Sequence, residues 1–136
     1  MKRRAFAAAA GRMTAGFDLV HGHGDLLNQD ILSLHNCVHA AHEAARGGML
    51  PESDAVGRMH SLQLSGRRFR ALVANSYLTK EEVVRRFAVP GERVTVIHPG
   101  FEPCRFKPGD RGRLGAPLRA ELGIKAGELL FGLITS

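Results

Sequence analysis

The sequence predicts an α/β fold built on a Rossmann-like parallel sheet, and three observations carry that prediction. Residues 70–106 set out a strand, a helix with a start signal, a tight turn, a second strand and a Pro-Gly exit in one run. Other apolar runs, at 31–35 and 129–135, are short, as strands are. Segments of helical composition lie between the runs, so strands and helices alternate as in βαβ units. In such a fold functional loops are expected at the carboxyl ends of the strands.

Taken in order, the chain opens on Lys2, Arg3 and Arg4 and an Ala-rich stretch that mimics a secretory leader. Gly11 and Arg12 interrupt it after a very short apolar run, so a surface helix is expected instead. Residues 17–21 read as a strand closed by Gly22, His23 and Gly24, 26–30 as a loop or turn, and 31–35 as a second strand. A helix is expected over 37–45, ending at Gly47 and Gly48. Residues 50–57 read as irregular, and 59–69 as a helix with Met59, Leu62 and Leu64 apolar. The run 72–74 reads as a strand buried on both faces.

Thr79, Lys80, Glu81 and Glu82 match a capping box, with the Thr79 hydroxyl accepting from the Glu82 amide and Leu78 and Val83 placed as a hydrophobic staple. Val83, Val84 and Phe87 give this helix one apolar stripe, with Lys80, Glu81, Arg85 and Arg86 facing water. Val89, Pro90, Gly91 and Glu92 stop it. A β-branched strand follows at 94–97, ended by His98, Pro99 and Gly100. The stretch 101–115 is rich in Gly, Pro and Arg and reads as a linker. A short helix over 116–122 has Pro117 at its start and Gly123 as its stop. Residues 129–135 read as a buried strand.

Bulk properties narrow the classes. The 136 residues suffice for one domain with a real core, and 44% hydrophobic and 24% charged residues are ordinary for a soluble globular protein. No apolar run is long enough to span a bilayer. Cys37 and Cys104 lie far apart without metal-ligand spacing, so reduced thiols in a cytoplasmic protein are expected. The net charge of +6 is scattered along the chain and not interleaved with aromatic side chains, which argues against a nucleic-acid module. Loose attraction to anionic lipid or sugar-phosphate surfaces fits better, with peripheral contact at the inner face of a membrane.

Several stretches together resemble family 4 glycosyltransferases, the retaining, nucleotide-sugar-dependent enzymes of GT-B fold. They are Val73-Ala74-Asn75-Ser76, then 87–97, then His98-Pro99-Gly100-Phe101, and Arg105-Phe106-Lys107-Pro108. The family commonly reads P-N-G-V-D where this chain has His98, Pro99, Gly100, Phe101 and Glu102, so it departs at the Asn and the Asp. The resemblance covers roughly 17–136. It implies that 1–100 form the later part of an acceptor-side domain, 101–115 the inter-domain linker, and 116–136 the start of a nucleotide-sugar-binding domain. In the family more of the first domain precedes such residues and most of the second follows. The chain is therefore expected to be a truncated, partial or degenerate copy, inactive alone.

The resemblance also implies roles. His35, after a strand and facing the cleft, is the expected catalytic residue; His21, His23 and Asn36 are expected to bind the acceptor. Asn75, Ser76, His98 and Gly100 are expected at the cleft or hinge, and Gly132, Thr135 and Ser136 on the donor side. The substrates implied are a UDP-, GDP- or ADP-sugar and a cell-envelope glycan or lipid, with no cofactor. His35, His39, His42 and Glu43 invite a metal reading, but Arg46 stands where H-E-x-x-H needs its second His, so no metal site is expected. Two other readings stay open: a non-catalytic remnant that associates with other proteins, and another GT-B enzyme such as a nucleotide-sugar epimerase.

Overall fold

The computed structural model describes residues 2–105 and 111–132. These fall into two compact units, Met1–Pro99 and Gly100–Ser136.

The first unit is a mixed α/β fold around a four-stranded, wholly parallel sheet in the order β1-β2-β3-β4. The strands are β1 (His21–Gly22), β2 (Ile31–Leu34), β3 (Ala71–Ala74) and β4 (Val94–Val96), and the helices α1 (Lys2–Met13), α2 (Val38–Arg46), α3 (Ala55–Gly66) and α4 (Tyr77–Phe87). Leu32 lies opposite Leu72, and Leu72 opposite Val94. This register sends Leu32, Leu34, Leu72, Ala74 and Val94 to one face, where they meet Leu64, Phe69, Val83 and Val89 in a single core. The alternate residues Ile31, Ser33, Ala71 and Val73 are only half-buried. Burial on β3 therefore alternates instead of being complete on both faces, because the packed helices cover one side.

Local chemistry sets the helix ends. The Asp54 carboxylate accepts the Gly57 amide at 2.7 Å, so α3 starts at Ala55, four residues before the expected 59. It ends at Gly66, where Arg67 adopts the left-handed conformation with φ 47°. Helix α4 starts earlier too. Ser76 Oγ accepts the Thr79 amide at 3.1 Å, so Ser76 is the cap and Thr79 is buried within the first turn. The capping box expected at Thr79 to Glu82 is replaced by this pairing. The staple goes with it, since Leu78 is 68% exposed. Glu82 instead takes Arg85 and Arg86. Lys80, expected in water, donates to the Val94 carbonyl at 2.8 Å.

Two expected strands are corrected. Of 17–21 only His21 pairs, extended by Gly22; Phe17 and Leu19 stay exposed and offer the sheet no buried face. Asp30 ties this entry down, its carboxylate accepting the Val20 amide at 2.9 Å. In the second unit 129–132 form no strand among the described residues. Leu129 and Phe131 are 85% and 88% exposed, because a strand needs a paired neighbour to satisfy its amides. The remainder, 133–135, lies outside the described residues. The short helix is present as α5 (Ala116–Glu121), with Pro117 in its first turn and Gly123 at φ 68° beyond it. One π-helical turn over Arg111–Gly115 leads into it.

Candidate functional site

All four strands of the first unit run in parallel, so their carboxyl ends deliver His21-Gly22-His23, His35-Asn36, Asn75-Ser76 and Ile97-His98 to one edge of the sheet. Three of the histidines form a row. The rings of His21 and His23 stack with centroids 4.6 Å apart, and His23 and His35 follow at 6.0 Å with 18° between planes. His21 Nε2 lies 2.7 Å from Ser33 Oγ, which anchors one end of the row to β2. Gly22 sits between two of these histidines and is buried against Gln29. A Cβ there would run into the Gln29 carboxamide and force that side chain to move.

Asn75 ties the other strand ends together. Its Nδ2 donates to the His35 carbonyl at 2.6 Å, and its Oδ1 accepts from Thr79 Oγ1 at 2.8 Å. Its own carbonyl lies 3.2 Å from His98 Nδ1, and the His98 ring leans on Tyr77. Asn75 thus fixes the His35 loop from the next strand with every polar atom of its amide engaged.

Beside the row lies a cleft of about 180 Å³ lined by His23, Ser33, His35 and Asn36, with Arg3 and Asp25 at its rim. Met59, His60 and Gln63 of α3 form a deeper wall. Gln63 is almost fully buried and donates to the Leu26 carbonyl at 2.7 Å, which holds the loop after His23. Burial pushes the His60 imidazole down to about 4, with His39 adding to the effect, so this wall is neutral at physiological pH. Arg3 pairs with Asp25 at 3.3 Å with both side chains more than half exposed, a weak pairing that leaves the guanidinium open to an anion. The site is a small cleft of mixed polar and apolar lining with imidazoles and one guanidinium at its edge. It suits hydroxyl and phosphate oxygens, and the imidazoles orient groups by hydrogen bonding.

The structure brings His23, His35 and Asn36 together at this cleft, sets His21 behind them against His23 and Ser33, and links Asn75 and His98 to the His35 loop. Ser76 serves as the α4 cap. Gly100 and Gly132 belong to the second unit, and Thr135 and Ser136 lie outside the described residues. The histidines once grouped as a metal pattern separate. Glu43 pairs with Arg86, and His39 turns to Ser61 of α3 at 3.2 Å. In its place Cys37, His39 and His60 gather, with one ligand atom from each within 4.8 Å of the others. Arg3, His60 and Gln63 were not marked by sequence, because helix packing brings them to the cleft, and neither was Asp25 in the loop after His23.

The model of Glycosyltransferase Family 4 matches residues 2–105 of this chain. Among curated proteins, the D-inositol 3-phosphate glycosyltransferase of Streptomyces avermitilis is 30% identical, over 90% of this chain and 30% of its own length. That of Streptomyces bingchenggensis is 33% identical, over 90% of this chain and 30% of its own length. The Nocardia farcinica protein of the same name is 29% identical over 92% and 29%. The chain spans about 30% of the length of these relatives. No solved structure matches the chain significantly.

Proposed function

The chain belongs to Glycosyltransferase Family 4, and on that footing we propose that it supplies the acceptor side of a nucleotide-sugar-dependent glycosyl transfer. The observation that carries this reading is the row of His21, His23 and His35 at the carboxyl ends of the strands, in which His23 and His35 line the cleft and His21 stacks on His23. It lies within the stretch the family model matches. In the transfer the bond from the sugar's anomeric carbon to the leaving diphosphate breaks, and a bond to an acceptor hydroxyl oxygen forms on the same face, with retention. The hydroxyl proton passes to the leaving phosphate oxygen, so no strong protein base is needed. His35 is the catalytic residue of this scheme: its imidazole orients the acceptor hydroxyl and stabilises charge developing beside it. His21, His23 and Asn36 hold the acceptor, and the donor is a UDP-, GDP- or ADP-sugar.

The acceptor we favour is a phosphorylated polyol. The relatives' printed names support this, as do the exposed Arg3 guanidinium and the imidazoles on one rim. A cell-envelope glycan or lipid remains the wider class. Among the described residues no helix is long and apolar enough to cross a membrane. The net charge of +6 supports loose contact with an anionic membrane surface, on its cytoplasmic side.

Calorimetric titration of the folded chain tests the ligand class, with circular dichroism as the folding control. Myo-inositol phosphate is expected to bind saturably, about tenfold more tightly than myo-inositol, a difference of about 1.4 kcal/mol. Equal affinity for the two polyols, or no binding of either by the folded chain, would overturn the phosphorylated-acceptor reading. Titration of UDP-, GDP- and ADP-glucose alongside shows whether the same chain also engages the donor.

A further inference from the structure

We propose that Cys37, His39 and His60 form a site for a borderline-soft metal ion of the zinc type, pinning the start of α2 to α3. One ligand atom from each residue lies within 4.8 Å of the others. Bond lengths of zinc to sulfur and nitrogen require edges of roughly 3.4–3.7 Å in a tetrahedral site. An ion would draw the three side chains together by about 1 Å, a movement within the reach of side-chain rotation.

Cys37 also packs in the hydrophobic core, and the unpartnered nitrogens of the two imidazoles are what mark the trio as a ligand set. His60 is only 5% exposed, yet its Nε2 has no hydrogen-bond partner, and His39 Nδ1 is likewise buried and unpartnered. Buried imidazole nitrogens without partners are costly. The tautomer in which His39 Nε2–H donates to Ser61 Oγ, 3.2 Å away, leaves the Nδ1 lone pair free to coordinate. Ser61 then orients the ring as outer-shell partners of metal-bound histidines do.

The sulfur is also uncommitted. Cys37 is a free thiol, 3% exposed, at the N-cap position of α2, and its side chain makes no capping hydrogen bond. Phe87 closes the cluster from α4, its ring edge-on to both imidazoles at 5.2 and 5.7 Å. That apolar cover protects a thiolate–metal bond from water. Burial lowers the proton affinity of both histidines, so the neutral, ligating form prevails near pH 7. The Arg86 guanidinium also disfavours positive charge at His39, while the Asp54 carboxylate works the other way. Two imidazoles and a thiolate suit zinc rather than calcium or magnesium. Binding would release the Cys37 proton. The proposal does not depend on the glycosyl-transfer reading, although His60 also lines the deeper wall of that cleft.

The test titrates the full chain with zinc chloride against a chromophoric chelator, and with cobalt chloride followed by absorbance. One ion per chain is expected, with a thiolate-to-cobalt charge-transfer band in the near ultraviolet. Zinc should raise Tm. Cys37→Ser and His39→Ala should each weaken zinc binding by more than about tenfold and abolish the Tm shift. Serine is itself a good N-cap, and His39 is only half-buried, so both variants should fold. His23→Ala should bind zinc as the unaltered chain does. Lack of binding by the folded chain would overturn the proposal. So would the absence of the thiolate band, or loss of binding in His23→Ala with retention in Cys37→Ser, which would place the ion on the exposed histidine row.

Discussion

The side-chain amide of Asn75 donates to the main-chain carbonyl of His35 at 2.6 Å, bridging the carboxyl ends of β3 and β2. The His35 loop is therefore held by a neighbouring strand as well as by its own. Asn75 is in turn held by Thr79 at 2.8 Å. The geometry of the histidine row depends on this chain of contacts through α4.

Asn75→Ala is accordingly expected to loosen the His35 loop more than it harms the fold. Loss of these hydrogen bonds should cost about 1–2 kcal/mol, read from urea denaturation. Polyol phosphate affinity should fall alongside, by about tenfold. A stability loss of that size with unchanged affinity would show that Asn75 serves only the fold.

Ala88 closes α4 in the left-handed conformation, with φ 50°. A Cβ is disfavoured there, and glycine is the usual solution. Ala88→Gly should therefore stabilise the chain by about 0.5–1 kcal/mol, seen as a higher urea midpoint at an unchanged m value. A lower midpoint would show that the cap is not strained.

Glu82 ties α4 internally to Arg85 and Arg86 and sits beside the Arg86 contact with Glu43 of α2. Hydrogen bonding from Arg86 is the largest influence on its carboxyl, with Arg85 adding to it, and holds it below its ordinary 4.5. The folded state thus releases the proton more readily than the unfolded chain. Its contribution is complete above about pH 4.5 and is lost as pH falls through the lowered value. Glu82→Gln should be less stable than the unaltered chain at pH 7 but lose less stability on acidification to pH 4. Parallel loss in both proteins would contradict this.

Much of the fold was legible because adjacent elements specify one another. The sequence around β3, α4 and β4 carries its own turn and stop signals, and the structure departs from them by a residue or two. The start of α4 was misread because two overlapping patterns compete: Ser76 to Thr79 and Thr79 to Glu82 both resemble caps. Ser76 prevails because its oxygen accepts the Thr79 amide, while Glu82 satisfies two arginines instead. At the site, His21, His23 and His35 could be marked from strand ends read together with the family resemblance. Arg3 and His60 could not, because they come from helices whose docking depends on tertiary packing. The same holds for the Cys37, His39 and His60 trio, which no local spacing announces.

The most direct test of the acceptor-site reading is a histidine-ring nitrogen correlation spectrum recorded while myo-inositol phosphate is titrated into the chain. The rings of His21, His23 and His35 should shift together and saturably, with His42 on α2 as an unmoved internal reference. Saturable binding that leaves all three rings in place, or that moves His42 instead, would contradict the assignment of this cleft as the acceptor site.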